Sequence, residues 1–276
     1  MIASLKPLAV ARPTPPRGRI MTHPGPAPTS LDLQIETQPD DVTCGPTCLH
    51  AVYRYWKRPV PLPELIASVP TLPGRGTLAV HLACDALQRG YAATLYTYNL
   101  HLFDPTWFPN GGAPEGTQAD AAAYLRDRLE RQLAYKGGET LAARTEGYLR
   151  FLELGGALRF EDLDSTLLRR PLTRGTPIIA GLSATYLYRT AREWGPKDDY
   201  DDIRGAPSGH FVVLAGYRPQ GRLVEVADPL RDHPLAEGTR YEIGIERVIG
   251  AIMLGVLTHD ANILLITPRS GGDRRP

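Results

Sequence analysis

Apolar positions along the chain follow two rhythms, one helical and one of strands. Leu49, Val52, Tyr53 and Trp56 recur at i, i+3, i+4 and i+7, the spacing of one buried helical face starting near Cys44. Residues 77–89 carry a second helical pattern closed by Gly90, and residues 92–98 read as the strand after it. Residues 118–136 place Ala122, Leu125, Leu129 and Leu133 on one face and stop at Gly137-Gly138. Residues 139–154 show a similar pattern and stop at Gly155-Gly156, so the two segments predict a helical hairpin. The β-branched run that starts at His210, bounded by Gly209 and Gly216, reads as a central strand with the histidine at its entrance. A second strand over 222–227 follows the Pro219-Gln220-Gly221 turn and delivers Asp228 at its end. Residues 249–257 read as a buried helix and residues 263–266 as a final strand. This order predicts an α+β fold: a helical N-terminal part, an antiparallel sheet, and a helical insertion at about 99–170.

The candidate chemistry sits on these elements. A thiol attacks a carbonyl as its thiolate, which is favoured at a helix N-terminus beside an imidazolium. Gly45 and Pro46 suit such a start, because proline in the first turn loses no helical hydrogen bond. Gln38 precedes Cys44 closely enough for its amide to fold back and, with the Cys44 backbone N–H, hold an oxyanion. In a hairpin the end of the second strand returns beside the start of the first, so Asp228 can reach and orient His210.

These residues resemble a known family, the bacteriocin-processing, double-glycine leader peptidases and their stand-alone relatives in the papain-like superfamily. The matching positions are Gln38, Cys44-Gly45-Pro46, Gly209-His210-Phe211-Val212-Val213 and Asp228-Pro229, with Gly175-Thr176-Pro177-Ile178-Ile179 as the strand before the histidine. The resemblance covers residues 32–98 and 172–230. It implies a papain-like cysteine peptidase fold, with Cys44 as nucleophile, His210 as general base and acid, Asp228 as orienting residue and Gln38 as oxyanion donor. It further implies cleavage of a peptide or amide bond through a Cys thioester, with a peptide or protein as substrate. A thioester acyltransferase and a catalytically silent peptide-binding module use the same residues and stay open. The segment from 99 to 170 is longer than such a core requires, and no transporter is attached.

Other features narrow the picture. Lys and Arg number 31 against 30 Asp and Glu, a net charge of +1 that gives no global attraction to nucleic acid. Three cysteines cannot pair completely, which favours a reducing, cytoplasmic compartment. Cys48 and Cys84 read as small buried hydrophobes. A zinc site at Cys44, Cys48 and His50 lacks a second ligand cluster, so neither metal nor cofactor is expected. Seven prolines before residue 30 predict a disordered N-terminal segment over 1–30, with Met21 an alternative start, and the polar tail 269–276 is expected to fray. No apolar run reaches the length of about 20 residues that spans a bilayer. Asp40 and Asp41 read as turn residues, and the run Asp198-Asp199-Tyr200-Asp201-Asp202 as a solvated loop, with a lid or a dock for a cationic peptide as the functional alternative. Oligomeric state has no signature in the pattern.

Overall fold

The computed structural model describes residues 27–71, 76–109, 112–258 and 261–269. Strand β1 (Thr29–Ser30) leads into helices α1 (Cys44–Tyr55), α2 (Leu62–Ser68) and α3 (Ala79–Gln88), then strand β2 (Tyr91–Thr97). Helices α4 (Gln118–Lys136) and α5 (Glu139–Glu153) precede β3 (Ala157–Arg159), α6 (Ser165–Thr173), β4 (Ile178–Ser183) and α7 (Ala184–Tyr188). A small hairpin, β5 (Glu193–Trp194) with β6 (Asp199–Tyr200), comes before β7 (Gly209–Arg218) and β8 (Leu223–Ala227). Strand β9 (Arg240–Gly244), helix α8 (Ile245–Leu254) and strand β10 (Asn262–Pro268) complete the order.

One sheet runs through the molecule in the order β3-β2-β10-β4-β7-β8-β9, and β1 pairs with the far end of β7. All its pairings are antiparallel except β2 with β3. Both faces are covered, which explains why β4 and β7 read as continuous apolar runs. On β7, Phe211, Val213 and Ala215 join the cluster containing α1, α3 and α5, while Val212 and Leu214 join the one containing α6, α7 and α8. The two-residue period of the strand thus divides one sequence between two cores. Between Leu214 and Gly216 the β7–β8 register slips by one residue, a bulge at Ala215. A side chain at Gly216 would meet the Thr29 carbonyl at 2.6 Å, so β1 lies against β7 only because that position is glycine.

The helical hairpin forms as its pattern predicts. Thr117 caps α4: its hydroxyl accepts from the Asp120 N–H (3.2 Å), and Asp120 accepts from the Thr117 N–H (3.0 Å). Such a reciprocal cap stabilises a helix by about 1 kcal/mol. Helix α5 packs on α3 and drives Phe151 and Tyr148 into the main core, while β3 extends the main sheet beside β2. Phe103 meets Tyr148 edge-on with ring centroids 4.7 Å apart, so this aromatic group packs the segment onto the core.

The expected disorder of residues 1–30 falls mostly outside the described residues, as do Met21 and residues 270–276. Thr29 and Ser30 differ from that expectation, because they pair with Tyr217 and Gly216. Arg269 is also tied down, donating from Nε to the Tyr91 carbonyl at 3.1 Å. Among the described residues no helix is long and apolar enough to cross a membrane.

Candidate active site

Helix α1 begins at Cys44 itself, the half-buried end of an otherwise buried face. The hydroxyl of Thr43 is engaged with Asp40, accepting from its N–H (3.3 Å) and donating to its carbonyl (3.2 Å), and gives the helix no side-chain cap. No acidic residue occupies the first turn either. The positive end of the helix dipole is therefore left to the group beside it, the Cys44 side chain. Gly45 lets this helix start sit deep: a Cβ there would lie 2.5 Å from the Thr77 methyl and 3.3 Å from the Phe211 ring.

His210 lies at the entrance of β7, buried, and lines the same cleft as Cys44. Its Nε2 lies 2.8 Å from Asp228 Oδ1, which leaves Nδ1 as the ring nitrogen available to the thiol. Burial by itself would make His210 a weaker base. The charge and hydrogen bond of Asp228, reinforced by Cys44, outweigh burial and push its pKa up to about 10.

Asp228 is fully buried and follows the last residue of β8. Its backbone N–H donates to the Thr239 carbonyl at 2.8 Å, fixing it at the turn toward β9. Besides His210, Oδ1 accepts the Leu230 N–H (3.0 Å), and Oδ2 accepts the hydroxyls of Tyr188 (2.8 Å) and Tyr241 (2.9 Å). Burial favours the neutral acid, but the His210 charge and these hydrogen bonds prevail and hold the carboxyl below its ordinary value. Burial, then the Asp228 charge, raises both tyrosines far above their ordinary range, so they remain neutral donors.

Gln38 is seated beside this turn, its backbone N–H donating to the Pro229 carbonyl at 2.9 Å. Its side-chain Nε2 donates to the Asp40 carbonyl at 2.8 Å, while Oε1 is buried without a partner. Gln38 does not line the cleft in front of Cys44. That cleft, about 390 Å³, is bounded by Cys44, Thr77, Leu182, Asp198, His210 and Leu257 among others.

Several other sequence readings can be placed. Cys48 is buried and donates its thiol hydrogen to the Phe211 carbonyl (3.3 Å), and burial raises its pKa well above an ordinary thiol. Burial likewise pushes Cys84 up to about 11. Asp40 is a turn residue, accepting the Val42 N–H at 3.0 Å. Asp201 closes its own loop onto Arg204 (2.6 Å), whereas Asp198 and Asp41 both reach the cleft. The segment 99–170 contributes none of the described residues that line the cleft. Its helix α5 covers α3, and α4 packs on α5. Tyr241 escaped the sequence reading, because it lies on a short strand after a polar loop. Tyr188 escaped it as a site residue too, because it ends a five-residue helix.

A scan against protein-family models and a search of curated proteins returned no match. Among solved structures the chain is similar to a double glycine motif protease from an AMS/PCAT transporter, in complex with the leader peptide. The two share 14% identity over 88% of this chain and 98% of that one, at a TM-score of 0.41. It is also similar to the peptidase domain of Streptococcus ComA, a bi-functional ABC transporter involved in a quorum-sensing pathway (14% identity, 86% and 99% covered, TM-score 0.39). A third similar structure is xylellain, a cysteine protease from Xylella fastidiosa (13% identity, 89% and 87% covered, TM-score 0.45).

Proposed function

We propose that this chain is a cysteine hydrolase that cleaves a peptide or other amide bond through a thioester on Cys44. The observation that carries the reading is that a buried carboxylate, Asp228, fixes the imidazole of His210 in the same cleft as the Cys44 thiol, which stands at an uncapped helix start. His210 holds the thiol proton while the Cys44 sulfur attacks the substrate carbonyl. The Cys44 backbone N–H, at the uncapped helix start, receives the oxyanion. The tetrahedral intermediate collapses as His210 passes its proton to the leaving amine, leaving an acyl thioester. His210 then takes a proton from water, which attacks the thioester and regenerates the thiol. A peptide or protein in the open cleft is the proposed substrate.

The test is the rate of iodoacetamide labelling at pH 6.5, read by intact mass and peptide mapping, in wild type and in His210→Ala. A thiol of ordinary pKa, about 8.5, is only ~1% thiolate at that pH. Fast, single-site labelling of Cys44 that slows at least tenfold without His210 is the expected result, followed by Cys44-dependent cleavage in a peptide library. Slow labelling unchanged by the substitution would overturn the reading and leave a groove that binds without reacting.

A further inference from the structure

We infer that Tyr188 and Tyr241 are positioning residues that act through Asp228, clamping one of its oxygens so that the other is held for His210. The inference rests on the catalytic reading of Cys44, His210 and Asp228 and adds the device that sets their geometry. The four hydrogen bonds to Asp228 divide in two: Oδ1 serves His210 and its own turn, while Oδ2 serves the two phenols alone. The phenols come from different elements, α7 and β9, and converge on that one oxygen. Each hydroxyl fixes the rotation of the carboxyl group, and together they leave it one orientation.

The clamp has its own support. His233, in the loop between β8 and β9, stacks on Tyr188 with centroids 5.7 Å apart and 14° between planes, and meets Tyr241 edge-on at 4.7 Å. Its Nδ1 accepts the Leu235 N–H (3.3 Å), so it carries no proton there, and the buried Nε2 has no hydrogen-bond partner among the described residues. His233 therefore serves as an aromatic wedge that spaces the two rings. Among the described residues the ionisable groups that act on Asp228 are His210 from β7, Tyr188 from α7, Tyr241 from β9 and Cys48 from α1, with His233 behind the tyrosines. The two phenols are the side-chain donors to Oδ2 among those residues.

The experiment uses Tyr188→Phe, Tyr241→Phe and the double variant, each of which keeps the ring against His233 and removes only the hydroxyl. Two readouts are taken: the pH dependence of Cys44 labelling by iodoacetamide, and titration of the Asp228 carboxyl by 13C NMR in aspartate-labelled protein. A hydrogen bond to a charged group is strong enough that each lost phenol should move the Asp228 inflection up by about one pH unit. The acid limb of the labelling profile should follow it, and the double variant should move furthest. Tyrosines that merely fill space would lower the melting temperature and leave both inflections in place, which would overturn the inference. If Cys44 proves unreactive in wild type, the hydrolase reading fails, and the NMR titration alone still decides whether the tyrosines set the state of Asp228.

Discussion

Adding a single methyl group at Gly45 should separate the thiol from its base. In Gly45→Ala the new Cβ would lie 2.5 Å from the Thr77 methyl, 3.3 Å from the Phe211 ring and 3.4 Å from a Leu82 methyl. Carbon atoms settle at about 3.5–4.0 Å, so more than about 1 Å of room must be found. Thr77 cannot swing freely, because its hydroxyl donates to the Pro70 carbonyl at 2.7 Å. Phe211 is buried in the strand that carries His210. The start of α1 is then the part that moves, and Cys44 moves with it. Overpacking of this kind costs about 1–3 kcal/mol, and a displacement near 1 Å at a reacting atom costs roughly a hundredfold in rate. Urea unfolding would measure the first and iodoacetamide labelling of Cys44 the second. Thr77→Ser removes the methyl and keeps the hydroxyl, so Gly45→Ala/Thr77→Ser should recover most of both losses. A Gly45→Ala protein as stable and as reactive as wild type would refute the argument from packing. Failure of the double variant to recover would show that the Thr77 methyl is not the obstacle.

The raised pKa of His210 makes its contribution to stability fully present below about 6.5, its unfolded value, and lost as pH rises toward about 10. Wild type should thus lose stability over that interval relative to His210→Ala in urea unfolding, and parallel curves would contradict the pairing. Asp228, held low, contributes stability above about 3.9 that is lost as pH falls through its depressed value, so Asp228→Asn should flatten the acid side of the same curve. Cys48→Ala removes one buried thiol hydrogen bond and should cost about 1–2 kcal/mol while leaving Cys44 labelling intact; loss of labelling would give Cys48 a role in the chemistry. Arg240 ties the Leu31 and Leu33 carbonyls to Glu225, so Arg240→Ala should expose residues 27–36 to limited proteolysis. An unchanged digestion pattern would show that β1 is held by its backbone pairing alone.

The parts of the molecule that could be read from the chain are those governed by local rules. Helix α4 falls within residues 118–136 because its apolar spacing, its Thr117 cap and its double-glycine stop all lie within one stretch of sequence. The helix start at Cys44 and the strand entrance at His210 were legible for the same reason. Their meeting depends on sheet order, which local patterning does not encode. The hairpin argument that brings Asp228 to His210 reached the right pair by a simpler route than the structure takes. Ala227 pairs with Val213, and Asp228 lies beyond that ladder, fixed by Thr239 at the turn into β9. Tyr241 was hidden because β9 is five residues long, with only Tyr241 and Ile243 buried, and follows a polar loop. Helix α6 was missed because it contains Pro171, which reads as a break and is tolerated in the last turn. The long segment 99–170 spends its apolar face on the core, through Leu125, Leu129, Tyr148 and Phe151.

Strand β10 lies between β2 and β4, paired to both along most of its length. It joins β2 and β3, with α3 packed on β2, to the half that carries His210 and Asp228. During synthesis both halves emerge before residues 262–268, yet no continuous sheet exists until that strand inserts between them. Such a closing step is non-local and therefore slow compared with the helices it awaits. Helix α1 packs directly on β7, so the helix of Cys44 and the strand of His210 are neighbours on one side of that seam, and the closing step completes the sheet behind them. A ribosome-stalled chain ending before Asn262 should show slower labelling of Cys44 than the full chain, because the sheet behind β7 is incomplete, and equal rates would show that α1 docks on β7 without the seam.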